Sequence, residues 1–329
     1  MNPSGGASIG ATPAVVASPT TAIALALVLD ATVAEPPRTL HPVAWFGSLV
    51  AVFGREWSRP RAVGLAVAAA LPLLAAAAVA FAVELAARAS PWLGVVAAGL
   101  ALFATTSLRM LVETAAEVVA ATATDLPSAR ERLRWLAGRD ATDLSVGEIR
   151  SAAIESAAEN LADGLVAPLL AFVVFSSVSL AAGVGAAAWV KAVNTLDSML
   201  GYPDTPHGTA SARLDDAVMW IPARASAVLL ALAALAPRAL STARRWADAP
   251  PSPNSGWPMA TLAAVLDARL EKPGAYVLNP DAGFPSLETS RRGVCVVGVA
   301  GVVAYLVAAL LASLLATGIA GSAEVVAWS

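Results

Sequence analysis

Five stretches of this chain carry residues whose types and spacing suit chemistry. In ESAAENLADG, Glu155, Glu159 and Asp163 recur at i, i+4 and i+8, so a helix lines three carboxylates along one face. No Lys or Arg is interleaved, and such a face needs a cation, a bound ligand or water to tolerate it. Asn160 sets an amide beside Glu159. In KAVNTLDSMLGY, Lys191, Asn194 and Ser198 fall at i, i+3 and i+7, with Asp197 one turn from Asn194. An ammonium, an amide, a carboxylate and a hydroxyl on adjoining turns suit a phosphate together with a hydrated divalent cation. In HGTASARLDDAVMWIPAR, the adjacent Asp215 and Asp216 open an apolar run, a pairing that suits Mg²⁺. Arg213 beside them offers a bidentate clamp for phosphate oxygens. Asp30 to Gly47 holds Glu35 and His41 in a proline-marked loop, and SPNSGWP offers the Asn254 amide and the Trp257 ring.

The elements that position these residues are set by an unusual composition. Of 329 residues, 57% are hydrophobic and 14% charged, against roughly 25% charged in soluble domains. The mean hydropathy is +0.69, and the apolar residues gather near 14–30, 62–86, 91–108, 165–190, 218–238 and 293–320. The expected fold is all-α, a polytopic membrane helical bundle of five to six apolar segments with polar active-site loops. Residues 1–12 are expected to be disordered, and 13–329 to form a single membrane-embedded domain. The first dozen residues lack Lys and Arg, so the run that follows reads as a retained span, not a signal peptide.

A four-residue turn, 87–90, joins the second and third blocks, which puts loops 31–61 and 109–164 on one side. Those loops carry ten Arg residues against Arg88 alone in the turn, which orients them to the cytoplasm of a multi-pass cell-membrane protein. The block 165–190 crosses once or, with FSSVS in its middle followed by Gly183 and Gly185, forms a bent or re-entrant pair of half-helices, and the chemistry favours the re-entrant path. Residues 109–137 read as one long amphipathic helix, and the four prolines of 246–258 make a connector. One cysteine, Cys295, and two histidines, His41 and His207, exclude Cys- or His-rich metal centres. A net charge of −3 gives no nucleic-acid footprint, and there is no GxxxxGK[ST] or GxGxxG loop.

The order of the motifs resembles a known family. Asp30-x₄-Glu35-Pro36 with His41-Pro42-Val43, then ESAAENLADGLVAPL, KAVNTLDSMLGY, ASARLDDAVMWIPAR and SPNSGWP, is similar to the cobalamin-biosynthesis membrane family of adenosylcobinamide-phosphate synthases. The likeness runs from about residue 22 to about 280, and it departs at Tyr202–Ala210, where PDTPHGT is more compact than the family's longer aromatic and basic stretch. The resemblance implies ATP-dependent joining of aminopropanol or its phosphate to a propionate of adenosylcobyric acid. ATP and Mg²⁺ are the cofactors implied, and the corrinoid, a small amino alcohol and membrane lipid are the partners. A homo-oligomer, or contact with other late cobalamin-pathway membrane enzymes, fits the same picture. Under this reading Asp215, Asp216 and Asp197 hold metal, while Lys191 and Arg213 hold phosphate. Glu155 or Glu159 is the base or a further metal ligand, with Asp163 on the same acidic face. Asn160 and Asn194 orient, and Glu35, His41, Ser198, Asn254 and Trp257 contact substrate. A transporter, with polar residues at membrane depth as an ion path, is the competing reading.

Overall fold

Proline and a capping side chain set most of the helix starts. Ser18 caps α1 (Pro19–Val33), His41 caps α2 (Pro42–Ala51), and α3 (Pro60–Ala89) and α4 (Pro91–Thr105) also open on proline. Proline suits these positions because its missing N–H is unpaired there in any case. The computed structural model describes residues 18–138, 140–202 and 205–327, so the expected disorder of 1–12 lies outside it. Beyond α4 come α5 (Arg109–Ala121), α6 (Leu126–Ala137), α7 (Val146–Leu161), a π turn (Ala162–Val166), α8 (Ala167–Ser176) and α9 (Leu180–Leu200). These are followed by α10 (Thr209–Val218), α11 (Trp220–Ala233), α12 (Ala239–Ala243), α13 (Gly256–Leu266), a short antiparallel hairpin and α14 (Leu287–Ala327). In the hairpin, β1 (Leu270–Lys272) pairs with β2 (Tyr276–Leu278), Glu271 opposite Val277.

The chain is therefore an all-α bundle of membrane type. Among the described residues, Pro60–Ala89, Pro91–Ala121, Val146–Ser176 and Leu287–Thr317 are long and apolar enough to span. A fifth span arises if α10 and α11, bent by 48° at Met219, count as one. The helix α1 is apolar but has 15 residues, about 22 Å of rise.

One expectation about the path holds and one changes. The block 165–190 does not cross once but folds back within FSSVS, as the favoured two-helix reading expects, with Gly183 and Gly185 beyond the turn. The helix Val146–Ser176 runs out, turns at 177–179, and α9 returns against α8 and α3. Gly183 and Gly185 lie inside α9, where a Cβ would press within 3.1 Å of the Phe172 ring and 3.3 Å of the Ala76 carbonyl. They permit close helix contact and do not make the turn. The stretch after α9 thus comes back to the end where α3 begins. There a Cβ on Gly64 would fall 2.0 Å from the His207 carbonyl oxygen. By contrast, 109–137 is two helices, because Asp125 caps a new start by accepting from Ser128 N and Pro127 follows at once. An Arg132–Glu117 ion pair links the two.

The α4–α5 break is fixed from outside. Asp30, buried near the end of α1, accepts from Leu108 N at 2.9 Å and Arg109 N at 3.1 Å, capping α5 from another helix. Tyr305 on α14 donates to Thr106 Oγ1 at 2.9 Å. Ser107, held between them, donates its N–H to the Gly164 carbonyl of the π turn at 2.9 Å. That chain of contacts ties the spans to the turn carrying Asp163.

The shared end has a direct test. Single cysteines at Thr142, Thr205 and Ser252, in a Cys295→Ser background, are expected to react with an impermeant maleimide from one and the same side. Labelling of position 205 from the opposite side contradicts the returning path of α9.

Candidate functional site

Three helix ends and the π turn enclose a cavity of about 430 Å³. The end of α7 supplies Glu159 and Asn160, the π turn Asp163, α9 Asn194, Asp197 and Ser198, and α10 Asp215 and Asp216. A π turn advances less per residue than an α turn, so Asp163 stays over Glu159. Asn194 faces both Asp163 and Asp215, spacing two acids with an amide. Five carboxylates around one cavity repel one another strongly wherever water is scarce. One of them is incompletely satisfied: Asp215 Oδ1 is buried and has no hydrogen-bond partner among the described residues.

Asp216 is better held. Its Oδ1 accepts from Ser252 Oγ at 3.4 Å, and its backbone carbonyl accepts from Asn254 Nδ2 at 2.7 Å. Asn254 lines the cavity, yet its amide oxygen is also engaged, by Arg224 Nη1 at 3.1 Å. The Arg224 guanidinium in turn lies 4.2 Å from the Trp220 ring and 5.1 Å from Trp257. Asn254 is thus a latch between the SPNSGWP loop and α10. Trp257 is not among the residues lining the cavity; its ring packs on Arg224, which displaces its expected role against substrate.

Two further expected residues lie elsewhere. Glu155 is fully buried, its Oε1 accepting from Ser151 Oγ at 2.7 Å and its Oε2 from Tyr276 Oη at 2.9 Å. Eight residues are about 2.2 helical turns, so Glu155 points roughly 80° away from Asp163 even before the π turn. It fastens the β-hairpin to α7. Glu155→Ala removes the shorter acceptor of the Ser151 and Tyr276 hydroxyls and leaves the longer contacts to the Glu271 carbonyl and Met259 Sδ, at about 1–3 kcal/mol in all. A clear fall in melting temperature is expected, with the ATP dependence of any turnover unchanged; a selective change in that dependence returns Glu155 to the site. Arg213 lies on another face of α10 and lines a separate depression with Arg61 and Leu65, so it is not brought to the acids. On a helix Arg213 sits roughly 160° from Asp215 but only roughly 60° from Asp216, so spacing alone does not separate it from the pair.

A second chamber of about 350 Å³ adjoins the first and shares Asn160 and Leu136 with it. Lys191 and Glu35 line it, and Lys191 stands within Coulombic reach of both Glu35 and Asp163. His41 Nδ1 accepts from Val43 N at 3.2 Å, so the proton sits on Nε2, which faces Glu35 Oε2 at 3.5 Å. Burial pushes the Glu35 carboxyl up, but the hydrogen bond from His41 and the charge of Lys191 hold it below its usual range. Its attraction for these groups is therefore present at neutral pH and is lost as the pH falls through that lowered value. Ser107 and Trp135 also line this chamber, and Trp135 is 83% exposed. The sequence reading passed over both. The signal for Trp135 was a large aromatic on the polar face of α6.

Among the described residues, no three His, Cys, Asp or Glu side chains converge closely enough to hold a metal ion unaided. Magnesium does not require that, since it keeps several waters and binds through one or two carboxylates plus phosphate oxygens. The buried, unpartnered Asp215 oxygen and the surrounding acids fit such a shared ion.

The family model described as CobD/Cbib protein matches residues 23–292. A probable cobalamin biosynthesis protein CobD of Methanothrix thermoacetophila is 36% identical, covering 88% of this chain and 95% of its own length. A protein of the same description from Methanothermobacter thermautotrophicus is 38% identical, covering 78% of this chain and 85% of its own. The cobalamin biosynthesis protein CobD of Klebsiella pneumoniae is 37% identical, over 77% and 82% respectively. No solved structure matches the chain. With most of its length aligned to such relatives and its motifs gathered at one end of a helical bundle, the chain belongs to the CobD/Cbib family of cobalamin-biosynthesis proteins.

Proposed function

We propose that the chain is an ATP-dependent ligase that joins aminopropanol or aminopropanol phosphate to a propionate carboxylate of adenosylcobyric acid. The observation that carries this reading is the convergence of five carboxylates from three segments on one cavity, next to a chamber holding Lys191. Amide formation from a carboxylate requires an activated acyl group. In the proposed course the propionate oxygen attacks the γ-phosphorus of ATP and ADP departs. The amine nitrogen then attacks the acyl carbon, phosphate leaves, and a carboxylate takes the amine proton.

Asp215, Asp216 and Asp197 are the residues assigned to Mg²⁺, which when bound offsets the phosphate charge. Lys191 is assigned to a phosphate oxygen, and its ammonium is a compact point charge suited to that task. Glu159 is the proposed base, with Asp163 as its acidic neighbour and with Asn160 and Asn194 orienting. Ser198, on the cavity wall, and Glu35, in the second chamber, with its partner His41, are assigned to substrate contact. We infer that this end of the bundle faces the cytoplasm in the cell membrane, from the Arg-rich loops that gather there. A homo-oligomer, or contact with other late cobalamin-pathway membrane enzymes, is proposed on the same footing. Transport gains no support, since the acids cluster at one end of the bundle and do not line a path through it.

The test is purified protein with adenosylcobyric acid, ATP, Mg²⁺ and each amine in turn, followed by mass analysis of the corrinoid. A mass gain equal to amine minus water, dependent on ATP, is the expected result. No gain with either amine, in folded protein, sets the reading aside.

A further inference from the structure

Arg213 belongs to a long motif, yet it has no part in the acidic cavity, and its actual surroundings suggest a different ligand. It lines a depression of about 610 Å³ with Arg61, Leu65, Pro206, Thr209 and Ala210. Two guanidinium groups share this hollow, and among the described residues neither has an ion pair or hydrogen bond. Both residues are exposed, and Leu65 on the apolar wall is 65% exposed.

The level of this hollow relative to a bilayer follows from α3. Residues 62–83 form an uncharged run of 22 between Arg61 and Glu84. At 1.5 Å per residue that run is about 33 Å long, close to the roughly 30 Å hydrocarbon core. Arg61 and Glu84 therefore bracket the core, and Arg61 stands at headgroup depth. Above it, along the same helix, Leu65, Leu73, Leu74 and Phe81 present an exposed apolar surface. The opposite wall is fixed, because α10 is pinned to α3 where His207 meets Gly64. A cationic hollow at headgroup depth, opening onto an apolar helix face, is complementary to one class of molecule: an amphiphile with an anionic head.

We propose that this hollow binds the phosphodiester headgroup of an anionic phospholipid, held by Arg61 and Arg213, with an acyl chain along α3. Two arginines that merely anchor depth by snorkelling attract anionic headgroups diffusely, as any surface pair does, and form no saturable site. The proposal stands apart from the ligation reading and does not depend on it.

The experiment uses the full chain in a maltoside detergent, with native mass spectrometry of titrations against phosphatidylglycerol and phosphatidylcholine. One saturable phosphatidylglycerol is expected, bound about tenfold or more tighter than phosphatidylcholine. R61Q/R213Q is expected to weaken phosphatidylglycerol about thirtyfold, at about one factor of five per cation. R61K/R213K, which keeps the charges, is expected to remain within about threefold to fivefold. The basic pair R244Q/R245Q serves as control and is expected to change nothing. Equal affinity for the two lipids in the wild-type protein overturns the proposal, and that comparison needs no variant to fold. Equal loss in the R244Q/R245Q control overturns it as well, by showing diffuse charge. Displacement of the lipid by inorganic phosphate at matching concentration overturns it in favour of a free-phosphate site.

Discussion

Asp215→Asn is expected to lower amide formation about 10²- to 10³-fold while leaving the protein folded in the membrane. The cavity places this carboxylate against Asp197 and Asp216, and its Oδ1 is buried without a partner. An acceptor in that state costs stability, and a bound cation removes the cost. The amide of Asn is nearly isosteric, so packing survives and only the charge is lost. The scale follows from other sites where one electrostatic contact to a reacting group is deleted, which cost about 10²–10³ in turnover. Asp216→Asn is expected to fall in the same direction but less far. Its Oδ1 already has Ser252, and Asn can keep that contact by presenting its own oxygen. Melting temperatures distinguish the two effects. Removing carboxylate repulsion is expected to raise the Mg²⁺-free melting temperature of Asp215→Asn while turnover collapses. Near-normal turnover in both variants at saturating Mg²⁺ removes the metal assignment.

Much of this site was legible in the sequence because its chemistry is written in local spacing. Glu159, Asp163, Asn194 and Asp197 sit on two helices whose faces the intervals define, and both helices deliver them to one cavity. What failed is what intervals alone do not encode. Glu155 shares the acidic rhythm of its motif, but a tyrosine 121 residues away takes up its carboxylate. Arg213 neighbours two acids in the chain but lines a separate hollow in space. The apolar blocks gave the membrane class, and the FSSVS stretch at 175–179 marked the turn that interrupts one of them, although it carries no glycine or proline. The cap that Asp30 places on α5 spans 78 residues, and only packing of α1 on α4 creates it. Local periodicity fixes which face a residue occupies; long-range hydrogen bonds decide whether that face meets the site.

Lys191 is the residue for which the chemical and the membrane readings differ most. The structure places it on the wall between Glu35 and Asp163, within the chamber next to the acids. It also borders an apolar groove lined by Phe46, Val79 and Leu100, so an anchoring role remains a concrete competitor. An anchor concerns depth, and it tolerates Arg fully and Ala at modest cost. A phosphate-binding ammonium responds otherwise: Ala removes a charge-assisted contact, while Arg keeps the charge but displaces it and changes its donor geometry. Lys191→Ala is expected to raise the ATP constant about ten- to a hundredfold, matching a loss of about 1.5–3 kcal/mol. Lys191→Arg is expected to fall between Ala and the wild type. Loss of the ammonium also leaves Glu35 and Asp163 facing a chamber without a nearby cation, so a lower melting temperature is expected to accompany the kinetic change. The measurement is the ATP dependence of product formation for the three forms, in detergent and at fixed Mg²⁺, each with its melting curve. If Ala lowers the melting temperature yet leaves the ATP constant and turnover unchanged, Lys191 is a structural counter-charge. The phosphate contact must then be sought among other cations.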